Sequence, residues 1–231
     1  CKISGGIGPK TREGDNQAPE GFYRITAQQL NPNSQFHLAF NIGYPNDYDR
    51  ALGRTGSMLM VHGDCVSKGC YAMTDALMEE IYGLSREALK AGQSSFQVQA
   101  LPFRMTDARM AREKNSKWLS YWKTLKQGYD YFEKYRVPPN VVVCERRYVV
   151  GVQAQSRPDA DGPCPPFSRP AMTAFTPLPE PAEVDVAKGN KLKGIANPDL
   201  EPTLADINAA KQRQSAQAIQ SMPGMPVANA N

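Results

Sequence analysis

Hydrophobic and polar positions alternate along Gln35–Gly43, where Phe36, Leu38, Phe40 and Ile42 fall on one face and predict a strand. Strand-forming residues also fill Phe22–Leu30, and the Asn-Pro-Asn-Ser stretch at 31–34 reads as the turn between the two. The run "GSMLMVHG" (Gly56–Gly63) is short and apolar, as in a buried strand that ends at His62. After Cys70 the period changes. Leu77, Ile81, Leu84 and Ala88 recur at helical spacing, with Glu79 and Glu80 early and Gly92 beyond the end. "SSFQVQALPFRMT" (Ser94–Thr106) predicts another strand. A longer helix is expected from about Asp107 to Tyr135, with a stripe of Trp118, Trp122, Leu125, Tyr129 and Phe132 that reads as core, and Pro138 and Pro139 end it. "NVVVCERRYVVGV" (Asn140–Val152) supplies one or two closing strands, and Gly5–Gly21 is a long loop dense in Gly, Pro, Asp and Asn. Strands mixed with two helices, without a regular βαβ repeat, define an α+β domain on an antiparallel or mixed sheet.

Composition sets the limits of that domain. Of 19 prolines, 12 lie from Gln153 onward, where Phe167 and Phe175 are the only aromatics. Such a segment buries too little apolar surface to offset its ordering entropy. The expected organisation is a folded domain over 1–152 and a mostly disordered tail over 153–231, within which Leu204–Met222 forms a marginal helix at most. Residues 1–152 hold 20 Lys and Arg against 15 Asp and Glu, a net +5 that favours anionic partners. Nine of those basic residues, against four acidic ones, lie in Arg104–Arg136, the pattern of a solvated face. No basic–aromatic stripe marks a nucleic-acid partner, and no apolar run is long enough for a transmembrane helix. The five cysteines are an odd number without a C-x-x-C pair, so neither a structural zinc site nor any other metal or cofactor site is expected. The opening "CKIS" reads as the end of a strand that starts upstream, in preference to a lipidated N-terminus.

Candidate chemistry concentrates in "VHGDCVSKGCYAMTD" (Val61–Asp75), which places His62 eight residues before Cys70. A cysteine attacks as its thiolate, so a nucleophilic Cys70 needs a base, and His62 is suited to that role. A helix that starts just after Cys70 would bring its positive end toward the sulfur. Gly69 permits a tight turn that exposes the thiol, and the N–H groups around Cys70 are placed for an oxyanion. The competing reading is a structural turn with a buried, inert thiol. Cys65 lacks the Ser-x-Gly setting and is read as structural, with a Cys65–Cys70 disulfide left open. His37 falls on the opposite face of its strand and is read as non-catalytic.

"HGDCVSKGCYAM" resembles the active-site signature of the L,D-transpeptidase catalytic domain family (YkuD-type fold), in which His-Gly precedes Ser-x-Gly-Cys. The short His-to-Cys spacing and "GCYAMTD" are closer to its YafK-like branch of murein L,D-transpeptidases. "ISGGIGPKTREGDNQAPEGFYRI", "LPFRMT" and "YWKTLKQGYDYFEK…VPPNVVVCERRYV" extend the likeness over roughly residues 1–152. The resemblance implies a mostly β domain in the periplasm, acting on peptidoglycan stem peptides without a cofactor. It assigns Cys70 as nucleophile, His62 as general base and acid, and the Gly63 carbonyl as the group that orients His62. Ser67, Gly69 and Tyr71 match the motif around the turn and oxyanion. Tyr71-Ala72 stands where many members carry an apolar residue and Arg, so no substrate-carboxylate contact carries over. The acceptor then separates a transpeptidase, which cross-links stem peptides or attaches an envelope lipoprotein or outer-membrane protein, from a hydrolase using the same thioester. A non-catalytic peptidoglycan-binding module is the third reading.

Overall fold

The structure is a computed structural model that describes residues 5–176. Its elements, in chain order, are β1 (Gly21–Ile25), β2 (Leu30–Ser34), β3 (His37–Asn41), α1 (Asp47–Ala51), β4 (Met60–His62), β5 (Tyr71–Ala72), α2 (Asp75–Lys90), β6 (Phe96–Ala100), α3 (Asp107–Arg112), α4 (Leu119–Tyr135), β7 (Val141–Cys144) and β8 (Arg147–Val150). They give the expected α+β fold with a mixed sheet. The central sheet has the order β2-β3-β4-β5, antiparallel except for the β4–β5 pair, which is parallel. β1 pairs antiparallel with β6, and β7 with β8.

β1 organises the core because both of its faces are covered. Tyr23 and Ile25 point into one cluster with Phe40, Ile42, Val61, Met78 and Tyr82. Phe22 points into a second cluster with Tyr48, Met105, Tyr121, Trp122, Leu125 and Tyr148. Alternation at period two thus lets five residues serve two cores. A buried ion pair lies near the second cluster, with Arg54 2.8 Å from Asp49, which also accepts from the Tyr23 hydroxyl at 2.9 Å.

Several expectations shift. Residues 31–34 are strand, since β2 runs through them with a bulge between Asn31 and Ser34, and the reversal falls at 35–36. The single helix over 107–135 is two. Asn115 and Ser116 favour local side-chain bonds over helix continuation, and Ser116 Oγ accepts from Trp118 N at 3.2 Å. In α2 the buried face is Met78 and Tyr82, one turn apart, while Leu77 and Leu84 of the anticipated stripe are exposed.

The boundary expected at 152 cuts through a strap that stays on the domain. Cys144 and Cys164 form a disulfide. Glu145 N donates to Gly162 O at 2.8 Å, Gln153 N to Ser168 O at 2.9 Å and Phe175 N to Lys134 O at 2.8 Å. One covalent clip and backbone pairing hold a proline-rich stretch that composition alone assigns to the tail. The Leu204–Met222 segment lies outside the described residues.

The loop before β1 is fastened by its own charges. Asp15 forms an ion pair with Lys10 at 2.8 Å and accepts from the N–H groups of Thr11, Arg12 and Gln17. Glu20 is buried, accepting from Gly8 N at 3.0 Å and from the Trp122 indole at 2.9 Å. Burial pushes its carboxyl up to about 7, against the opposing pull of the Trp122 and Gly8 hydrogen bonds and the Arg54 charge. The unfolded chain releases this proton near 4.5. Between the two values the folded state holds the extra proton, so stability falls as pH rises. Melting curves from pH 4.5 to 8 should show that decline in the wild type and a flatter profile in Glu20→Gln.

Candidate functional site

The sequence between the two candidate residues folds as a closed loop on the central sheet. The parallel β4–β5 pair sets Val61 opposite Tyr71 and His62 opposite Ala72. Beyond the ladder, Met73 N donates to His62 O at 2.7 Å and Cys65 N to Met73 O at 3.1 Å. The eight-residue spacing of His62 and Cys70 is therefore the length of the crossing from β4 to β5. Gly69 has φ +104°, and a Cβ there would lie 3.1 Å from the Gln17 carbonyl oxygen. Only glycine meets both conditions without strain. Ser67 Oγ donates to Cys70 O at 2.7 Å, which closes the turn just before the thiol.

Cys70 is a free thiol. Its sulfur takes the Met60 N–H at 3.4 Å and faces Met58 O at 3.7 Å, so the side chain reaches onto the strand that carries His62. Cys65 is disulfide-bonded. A Cys65–Cys70 bridge is thereby excluded.

His62 is buried, and Phe36 packs against it with ring centroids 5.0 Å apart. Nδ1 lies 2.6 Å from the Gly63 carbonyl oxygen. A carbonyl only accepts, so Nδ1 carries the proton, and in the neutral ring Nε2 is left as the basic nitrogen. His37 sits at the surface with Nε2 3.1 Å from Glu79 Oε1.

Tyr71 is fixed through its side chain. Its hydroxyl donates to Pro19 O, and its ring packs at the edge of the first core cluster. Burial, with the nearby Glu20 charge adding to it, raises the hydroxyl above its ordinary range.

One expectation about activation is corrected here. The helix does not start just after Cys70, because β5 intervenes and α2 begins at Asp75, five residues on. Its leading Leu77 N–H is taken by the Thr74 side chain at 3.3 Å. The donor that reaches the sulfur is the Met60 backbone, which no side-chain motif announces. The Pro19–Glu20 wall is equally silent in the sequence, being part of a loop with no apolar period.

Residues 3–93, which include the whole loop, match the L,D-transpeptidase catalytic domain (YkuD). YafK of Escherichia coli strain K12, which bears the provisional name of an L,D-transpeptidase, is 56% identical over 150 residues, 65% of this chain and 61% of that protein. The same protein in strain O157:H7 matches to the same extent. The chain thus spans 61% of the length of these curated relatives. Among solved structures, the helical cell shape determining protein Pgp2 of Campylobacter jejuni aligns with a TM-score of 0.35 at 26% identity, over 43% of this chain and 36% of that one.

Among the described residues there is no cluster of three or more side chains that could hold a metal ion. Nor does any helix among them have the length and apolarity to cross a membrane. Gly69→Ala should strain the turn by about 1–3 kcal/mol, the usual range for a non-glycine residue forced into such backbone. Thermal unfolding and the rate of Cys70 alkylation, both measured against wild type, check this.

Proposed function

We propose that the domain carries out cysteine-dependent acyl transfer on peptidoglycan stem peptides in the bacterial cell envelope. The observation that carries the reading is the His62 Nδ1–Gly63 carbonyl bond, which leaves Nε2 as the base on the strand that the free Cys70 thiol contacts. The match of residues 3–93 to the L,D-transpeptidase catalytic domain supports the substrate class.

Nε2 of His62 takes the thiol proton, and the sulfur forms a bond to the carbonyl carbon of a diaminopimelate residue. The resulting oxyanion is met by backbone N–H groups of the 69–71 turn. On collapse, the C–N bond to the terminal D-alanine breaks, and that amine leaves with the proton from His62. The enzyme is left as a thioester. An amine from a second stem peptide or an envelope protein attacks it next, with His62 removing the proton, and the thiol is regenerated. Water in place of the amine makes the same site a hydrolase. The Gly63 carbonyl stabilises the imidazolium by accepting its Nδ1–H, so the base works without a carboxylate in direct contact with the ring.

Incubation with purified muropeptides, followed by mass spectrometry of the products, should show Cys70-dependent conversion. Cys70→Ala and His62→Ala are each expected to lower it by roughly 10³-fold or more. Cross-linked or protein-linked products identify an amine acceptor, and shortened monomers identify water. Unchanged product yield in Cys70→Ala would overturn the assignment. Intact-mass analysis after exposure to a carbapenem should add one adduct to the wild type and none to Cys70→Ala.

A further inference from the structure

The Gly63–Asp64 peptide bond, one residue beyond His62, carries two hydrogen bonds of opposite sense. Its carbonyl, on Gly63, accepts from His62 Nδ1 at 2.6 Å. Its N–H, on Asp64, donates to Asp75 Oδ1 at 2.7 Å. Both groups belong to one planar unit. The same Asp75 oxygen stands 2.6 Å from the point a Cβ on Gly63 would occupy, with His37 Cβ 2.9 Å from that point. The carboxylate is therefore seated directly against glycine. On the other side, Gly63 N is shared between Phe36 O at 3.0 Å and Leu38 O at 3.2 Å. Rotation of the Gly63–Asp64 peptide would break the bond to Asp75 and carry its carbonyl away from Nδ1.

We propose that Asp75 is a positioning residue for His62, acting through the Gly63–Asp64 peptide in place of a carboxylate set directly against the imidazole. This rests on the reading of Cys70 and His62 as nucleophile and base. An amide N–H that donates to an anion makes its own carbonyl a stronger acceptor, since bonds in a chain polarise one another. Charge-assisted bonds are also shorter and stronger than neutral ones. The Asp75 charge thus strengthens the hold on Nδ1–H, which fixes the neutral ring in the tautomer whose lone pair is on Nε2 and stabilises the imidazolium formed when the thiol proton is taken up. Ser-His-Asp systems obtain the same effect from a direct carboxylate contact. Asp75 also occupies the first turn of α2, where an acidic side chain suits the helix dipole. That second role concerns helix stability and leaves the ring tautomer untouched, so the two are separable.

¹⁵N NMR of histidine-labelled protein reads the tautomer without turnover, and His37→Gln assigns the signal because the chain has only two histidines. The wild type should show His62 as the Nδ1–H form alone. Asp75→Ala should give a mixture of tautomers and slow carbapenem acylation of Cys70 roughly tenfold or more, the usual scale for an outer-shell partner. Asp75→Asn keeps an oxygen acceptor without the charge, so it should hold the tautomer while still slowing acylation. Thr74→Ala, which removes only the α2 cap, should lower the melting temperature and leave both readouts at wild-type values. A wild-type tautomer or a wild-type acylation rate in Asp75→Ala overturns the proposal, and so does an equal loss in Thr74→Ala. Should Asp75→Ala fail to fold, a wild-type rate in Asp75→Asn overturns it. An adduct on Cys70→Ala would instead sink the nucleophile assignment, and the tautomer measurement would then judge Asp75 by itself.

Discussion

A single buried carboxylate joins the parts of this domain. Glu20 sits where the long first loop enters β1, and it is reached by the loop through Gly8 N–H and by α4 through the Trp122 indole. The Tyr121 hydroxyl donates to its backbone carbonyl, and the Tyr71 hydroxyl donates to that of Pro19 beside it. Loop, helix and the residue after Cys70 therefore converge on two consecutive residues, Pro19 and Glu20. Burial of such a group is unfavourable unless its oxygens find donors. The loop is thereby committed to one position, with the Gln17 carbonyl close over Gly69.

The candidate site uses backbone where Ser-His-Asp sites use side chains. Met60 N–H meets the Cys70 sulfur, the Gly63 carbonyl meets His62 Nδ1, and the Phe36 and Leu38 carbonyls fix the Gly63 N–H. Main-chain groups in a sheet lose little further freedom when they bind, so such a site is organised before substrate arrives. The arrangement also explains its compact sequence. His62, Gly63, Ser67, Gly69 and Cys70 lie within one strand crossing, and the sheet supplies the rest.

Much of this was legible in the residues. Alternation in Gln35–Gly43 gave β3, and the apolar run before His62 gave β4. What stayed hidden has physical reasons. β5 is two residues long, too short for any period to register. The α2 stripe was misplaced because Leu84 borders an open groove with Phe96 and Tyr129, so an apolar residue there is no sign of burial. The strap over 153–176 is held by a disulfide and backbone pairing, neither of which proline-rich composition reports. Asp75 stood at the end of the motif in plain view, but its reach to Asp64 N is a matter of tertiary placement.

The thiol inventory also governs how the protein can be handled. Cys144, Cys164 and Cys65 are locked in disulfides while Cys70 is unpaired and partly exposed. Among the described residues, a soft electrophile in the absence of reductant therefore has one address. Strong reductants added to protect that sulfur would at the same time loosen the strap from the domain. Handling that keeps the Cys70 thiol reduced and the clips closed needs a redox poise between the potential of a mixed disulfide formed at Cys70 and that of the structural disulfides.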